Sequence, residues 1–120
     1  MSLKARFEKE PGYLIVKFSG STTPGEIGSR LRSVAERCRK ENFNKIVIDI
    51  SKIPLVPSFA ERFQFGEKGA VFAEFGIKVA VVAAAETLEP GRLAELVARN
   101  RGVEVSAFTD MAAAVDWLLK

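Results

Sequence analysis

The segment that most constrains the fold is KIVIDI, residues 45–50, an apolar run in which Asp49 is the one polar residue after Lys45. A short apolar run without alternation is typical of a strand buried on both faces, as in a parallel sheet. A second run of this kind covers residues 78–84. Parallel neighbours need a crossover connection, which is usually a helix. The two runs therefore predict an α/β fold.

The surrounding segments complete a predicted order of elements. Residues 3–8 and 14–18 alternate apolar and polar side chains around Pro11-Gly12, which predicts an antiparallel hairpin. A last strand is predicted over residues 103–108. Helical patterns cover residues 23–41, 58–75, 87–100 and 109–119, and Thr109 or Asp110 is the candidate cap of the last helix. The order is ββαβαβαβα, a hairpin followed by three βα units, with helices packed on a mostly parallel sheet.

Size and composition indicate one domain over residues 1–120, because 48% hydrophobic and 28% charged residues are typical of a globular chain. No apolar run approaches the ~20 residues that span a bilayer, so no membrane span is predicted. The start has no charged region followed by an apolar one, so we expect a cytoplasmic location.

The chain has no histidine, and this narrows its chemistry more than any motif does. Ser–His and Cys–His nucleophiles, imidazole acid–base catalysis and most transition-metal sites all depend on that residue. We therefore expect no enzyme activity, no metal and no cofactor. The single Cys38 lies on the apolar stripe of the first helix and is predicted to be a buried, small hydrophobic residue.

The net charge of +3 is mild, and many of the cations lie on the first helix. They alternate there with acids, as in the i,i+4 pair Arg37 and Glu41, which is typical of a solvated helix face. Nucleic-acid binding requires a longer basic stripe or aromatic stacking platforms. We therefore expect no nucleic-acid partner.

Four segments carry a resemblance to a known family. They are Gly20 before the helix start at Thr23-Pro24, VIDIS at 47–51 with its loop, KVAVV at 78–82, and the ending FTD…AVDWL at 108–118. Over residues 13–119 the chain resembles the STAS domain, named for sulfate transporters and anti-sigma-factor antagonists. It looks most like the SpoIIAA-like branch of small bacterial proteins, some of them related to the CRAL-TRIO lipid-transfer fold. The resemblance implies a SpoIIAA-like sandwich that works through partner contact.

Ser58 is the residue whose role this resemblance makes most important. In antagonist STAS proteins, an Asp-Leu-Ser segment and a short loop precede Asp-Ser-Ser-Gly, whose first serine accepts phosphate from an anti-sigma kinase. Aligned from Asp49, Pro57 takes the acidic position, Ser58 the phosphorylated one, and Phe59 and Ala60 replace Ser-Gly. Ser58 is thus predicted to be a helix cap, with phosphorylation as the alternative, since a helix N-terminus favours a phosphate.

Asp49 also has two interpretations. As the last residue of an apolar strand it is predicted to accept N–H groups from the loop that follows. The alternative is a binding role at the carboxyl edge of the sheet, where ligands of open α/β sheets gather.

The helix after Ser58 holds an unusual number of phenylalanines. The face predicted to pack on the sheet carries Phe59, Phe63, Gly66, Ala70 and Ala73. Phe65 and Phe72 are predicted to lie on a different side of the helix from that face. Gly66 and Gly69 are predicted to kink or break the helix. The extra rings fill contacts with a neighbouring helix, form a docking or self-association patch, or line a pocket for a lipid-like ligand.

We expect a non-enzymatic regulatory or ligand-binding domain that acts through partner contact. The resemblance implies that the contact lies at the loop 54–58 and the following helix, which is the contact surface in partner-binding STAS domains. The candidate surface residues are Asp49, Pro57, Ser58, Phe59, Arg62, Phe65 and Phe72. The partner would be a regulator, a kinase or a second copy of the chain. One alternative is an apolar, lipid-like small-molecule binding protein. The other is an anti-sigma-factor antagonist that is switched by phosphorylation at Ser58.

Overall fold

Five strands, in the order β1-β2-β3-β4-β5, form the sheet in the computed structural model, which describes residues 3–88 and 92–120. The strands are β1 Leu3–Glu10, β2 Tyr13–Gly20, β3 Lys45–Asp49, β4 Lys78–Val82 and β5 Val105–Phe108. The β1 and β2 strands pair antiparallel, and every later pair is parallel. The predicted hairpin and the mostly parallel α/β sheet are both confirmed.

The helices are α1 Pro24–Lys40, α2 Phe59–Lys68, α3 Val71–Glu74, α4 Ala85–Leu88, α5 Leu93–Asn100 and α6 Met111–Leu118. They follow the predicted order, and two long helices are divided. Gly69 ends α2, so the predicted break within residues 58–75 is confirmed. A single helix over 87–100 is wrong, because Arg92 has a φ of 52°, in the left-handed region that a helix interior excludes. Residues 89–91 of that prediction lie outside the described residues.

Local chemistry accounts for the turns and helix starts. Gly12 has a φ of +88°, as the second central residue of a type II turn requires. The Thr23 side chain accepts a hydrogen bond from the Glu26 N–H, and Asp110 accepts from two N–H groups of α6. Of the two candidate caps for α6, Asp110 is the one used.

The two faces of the sheet are covered unequally. One face packs against α1, α3 and α5, and its core includes Phe18, Ile48 and Val79. The other face, which includes Val47, packs against α6 through Leu118. The candidate site lies on the first face, where α2 packs against α5 and α1.

Cys38 lies fully inside the first core, as predicted. Burial raises the pKa of its thiol to about 12. The thiol is therefore protonated at neutral pH. Within residues 3–88 and 92–120, the structure contains no helix with the length and apolar character of a membrane span.

Candidate functional site

The loop that leaves β3 begins with a turn held by Asp49. Its Oδ1 accepts hydrogen bonds from the Ser51 N–H at 2.9 Å and the Ser51 hydroxyl at 2.6 Å. The Asp49 side chain is buried, and an ionised acid there is stabilised by such bonds. The prediction that Asp49 accepts a loop N–H is confirmed, and the part of a ligand-binding group stays a prediction.

The rest of this loop alternates between buried and exposed residues. Ile53 and Leu55 are buried in the core, whereas Val56 is 72% exposed. The Leu55 carbonyl also accepts a hydrogen bond from the Thr87 hydroxyl, at 2.6 Å. The buried side chains and the hydrogen bond from Thr87 therefore anchor the loop to the core, and the Val56 side chain remains exposed to solvent.

Ser58 starts α2 with a complete capping box. Its Oγ accepts from the Glu61 N–H at 3.2 Å, and its own N–H donates to Glu61 Oε1 at 2.8 Å. A cap of this kind contributes about 1 kcal/mol to stability. The cap interpretation is confirmed. Ser58 is also exposed, and phosphorylation stays a prediction.

The structure corrects the placement of Arg62, which was expected to face a partner. Its side chain is buried, with Nε donating to the Pro57 carbonyl at 3.0 Å and Nη1 donating to the Thr87 carbonyl. Pro57 is likewise buried. A buried guanidinium loses its hydrogen bonds to water. The carbonyls of the loop and of α4 replace the water molecules as acceptors.

The buried face of α2 consists of one arginine and one glycine. Arg62 and Gly66 point inward, and Gly66 lies against α5. A Cβ at Gly66 would lie 2.5 Å from Val97 Cβ and 2.7 Å from the Ala94 carbonyl oxygen. This contact therefore requires glycine, because any side chain would force the two helices apart.

The helix surface beside this buried face carries the aromatic side chains that were expected inside. Phe59 is 75% exposed and Phe63 is 39% exposed, so the prediction that they pack on the sheet is wrong. Because they are four residues apart, they lie next to each other on one helix surface. With the exposed Val56 of the loop, they form what we call the α2 patch (Val56, Phe59 and Phe63).

Phe72 and Phe65 do not extend this patch as expected. Phe72 is fully buried in the first core, and Phe65 is half-buried against it. The α2 helix ends at Gly69, and Phe72 belongs to the following helix α3, where it is a buried residue. The correction leaves Ser58 and Phe59 as the exposed members of the predicted surface, while Asp49, Pro57 and Arg62 support it from inside.

Beneath α2 lies a cavity of about 140 Å³ between α1, α5 and the sheet. Most of its lining is apolar, and Leu31, Phe65, Val79 and Ala98 are representative. The side chains of Arg62, Thr87, Arg92 and Glu95 are the polar part of the described lining.

Glu95 is the one acid in that lining, and its side chain is 9% exposed. Its Oε2 pairs with Arg99 Nη2 at 2.7 Å, and its Oε1 lies 3.6 Å from Arg92 Nη1. Arg92 Nη1 also donates to the Ala107 carbonyl at 2.7 Å. Glu95 therefore forms ion pairs with Arg99 and Arg92, while its buried Oε1 has no hydrogen-bond partner among the described residues.

Across residues 3–88 and 92–120, the side chains of the acids and the cysteine form no group of three or more in metal-binding range.

Comparison of the sequence with family models and with curated proteins gives no match. Solved structures do match the fold. One is an anti-sigma factor antagonist from Mycobacterium paratuberculosis, with a TM-score of 0.62, 15% identity, and coverage of 99% of this chain and 96% of that one. Another is a protein of the DUF3478 family with a SpoIIAA-like fold from Shewanella loihica PV-4, with a TM-score of 0.52, 21% identity, and coverage of 97% and 93%.

The class of protein follows from the architecture: a mixed α/β domain in which an antiparallel hairpin leads into a parallel sheet with helices on both faces. Both solved structures share it over nearly their whole length. The chain therefore has a SpoIIAA-like fold.

Proposed function

We propose that this chain is a single-domain, cytoplasmic, non-enzymatic regulator that acts by contact with a protein partner. The contact surface is the loop 54–58 together with the α2 patch. The observation that carries the proposal is the exposure of Phe59, an aromatic side chain left 75% in water beside two further exposed apolar residues.

Exposed apolar side chains that stand alone are ordinary, but a cluster on one element indicates an interaction site. Covering one phenylalanine side chain removes enough apolar surface from water to contribute about 1.5–3 kcal/mol. Phe59 and Phe63 lie on the same helix surface, so one partner pocket is able to cover both.

The base of this surface is rigid, which favours binding. Ile53 and Leu55 hold the loop in the core, the capping box fixes the start of α2, and Arg62 joins that start to α4. A surface that is already ordered loses less conformational entropy when a partner binds.

The fold comparison supports a regulatory role for this chain. The M. paratuberculosis protein of this fold is an anti-sigma factor antagonist. We infer a regulatory role through protein contact here, with the partner unidentified. A second copy of the chain would be an outcome of the test below.

A photo-crosslinking residue at position 59 tests the proposal in the native cell. A protein crosslinked from position 59 and from position 63, but not from the exposed Asp116 on α6, is expected. Mass spectrometry then names the partner. Equal yields from all three positions, or none from 59 and 63, would contradict a contact at the α2 patch.

A second candidate function is the binding of an apolar small molecule, and the cavity under α2 favours it. Its volume of about 140 Å³ is close to that of an engineered protein cavity of ~150 Å³ that binds benzene. A compact molecule suits this space better than a long acyl chain. Native mass spectrometry of freshly purified protein would show a retained molecule, and a bare-protein mass with no thermal shift on adding small apolar compounds would argue against this function.

Phosphorylation of Ser58 is the third candidate, and its exposure favours it. The Glu61 carboxylate already occupies the Ser58 N–H, so an added phosphate would meet a like charge and disrupt the capping box. An anti-sigma-type kinase is expected to add one phosphate to the chain, and Ser58→Ala to abolish the addition. A phosphate still present in Ser58→Ala would remove this candidate.

A further inference from the structure

Within residues 3–88 and 92–120, the cavity under α2 contains one charge that has no counter-ion. Arg62 lines the cavity and is 6% exposed. Among the described residues no carboxylate forms a salt bridge with it, and its two hydrogen bonds go to the carbonyls of Pro57 and Thr87. A guanidinium carries more N–H donors than those two bonds use.

A buried charge is stabilised when an opposite charge pairs with it, and it is costly otherwise. The other charges of the lining do not serve Arg62, because Glu95 is paired with Arg99 and lies near Arg92. Among the described residues, two cations and one carboxylate line the cavity, which gives this part of the lining one positive charge in excess.

We propose that the cavity binds a small monocarboxylate, with its acid group on Arg62 and a compact apolar body among Leu31, Phe65 and Val79. This inference deepens the second candidate function and rests on it. The planar guanidinium suits a carboxylate because two parallel N–H···O bonds form between them.

The volume limits the body of the ligand. About 140 Å³ holds a group the size of a benzene ring or a short branched alkyl chain. Benzoate therefore has both features, toluene has the apolar body without the charge, and benzylamine has the same body with the opposite charge.

The test is a titration of the purified chain with each of the three compounds at neutral pH, followed by amide shifts in ¹H–¹⁵N NMR spectra. Benzoate is expected to shift the amides of cavity residues and to bind at least about tenfold more tightly than toluene, the usual effect of a hydrogen bond to a charged group. Benzylamine is expected to bind most weakly.

Variants locate the two parts of the ligand. Arg62→Met is expected to bind benzoate no better than toluene, and Arg62→Lys to recover part of the preference. Ala98→Leu fills the cavity and is expected to lose both compounds. Arg32→Met, at a well-exposed arginine of α1, is the matched control and leaves both affinities unchanged.

The outcomes distinguish the carboxylate inference from the apolar-ligand function on which it rests. Toluene binding equal to or tighter than benzoate binding overturns the carboxylate assignment and leaves an apolar-ligand function standing. Shifts by neither compound up to millimolar concentration overturn both. Benzoate binding that survives Arg62→Met and Ala98→Leu places the ion elsewhere on the surface and overturns the inference. Should Ala98→Leu fail to fold, Arg62→Met alone decides the assignment.

Discussion

The helices α2 and α6 make an instructive pair, because both are short, follow a loop and begin with a side-chain cap. In α6 the buried positions are Ala114 and Leu118, as hydrophobic periodicity requires. In α2 the buried positions are Arg62 and Gly66, while Phe59 and Phe63 face water. The helix with the larger aromatic content thus keeps those rings outside, which core packing alone does not explain.

The difference indicates what each helix is for. Residues on α6 serve the fold, so they follow the rules of burial. The exposed side of α2 departs from those rules, and such departures concentrate at functional sites. Substitutions on each helix test this difference.

The largest expected effect separates the two helices directly. Leu118→Ala removes a fully buried side chain and is expected to lower the free energy of unfolding by about 3 kcal/mol. Phe59→Ala removes a mostly exposed ring and is expected to change it by about 0.5 kcal/mol or less. Urea unfolding measures both, and a Phe59→Ala loss as large as that of Leu118→Ala would show that the ring is part of the core.

The buried side of α2 predicts the next largest effect. Gly66→Ala places a Cβ against Val97 and the Ala94 carbonyl, so we expect a loss of about 2 kcal/mol from overpacking. Gly25→Ala in α1 is the control, because a Cβ there meets nothing within 4 Å. That variant should be neutral or more stable. Equal stability of the two variants would contradict the close approach of α2 and α5.

The caps should be alike in both helices. Ser58→Ala and Asp110→Ala each remove a side chain that accepts N–H bonds of the first turn, and each is expected to lose about 1 kcal/mol. Thermal unfolding monitored by circular dichroism measures the losses. A Ser58→Ala variant at wild-type stability would mean that the hydroxyl is kept for a purpose other than capping.

The smallest effect near neutral pH concerns Cys38 of α1. Since burial raises the pKa of its thiol to about 12 from 9.0, its contribution to stability is complete below pH 9. That contribution is lost as the pH rises from 9 towards 12, where the unfolded chain ionises first. A thiol reagent is expected to label the folded chain only as fast as it unfolds. Rapid labelling of folded protein at pH 8 would contradict the burial.

Much of the fold was accessible from the sequence, because strands and caps are local signals. The apolar run at 45–50 predicted β3, and Asp110 predicted the start of α6. The division of residues 87–100 was missed, although Pro90-Gly91 inside that stretch is a pair that breaks helices.

The candidate site was only partly accessible for a physical reason. Hydrophobic periodicity assumes that apolar side chains point inward, so it placed Phe59 and Phe63 on the sheet. The true signal was the pair Gly66 and Gly69, two positions without a side chain that allow α2 to approach α5 closely. The cavity was not accessible at all, because it depends on how α1, α2 and α5 meet over the sheet.

The affinity of the crosslinked partner for purified variants tests the central claim most directly. Phe59→Ser is expected to weaken binding by more than about tenfold, as loss of a central aromatic contact does. Leu119→Ser, at an exposed leucine next to α6, is expected to leave the affinity unchanged. Equal affinities of Phe59→Ser and the wild-type chain would contradict a partner surface on α2.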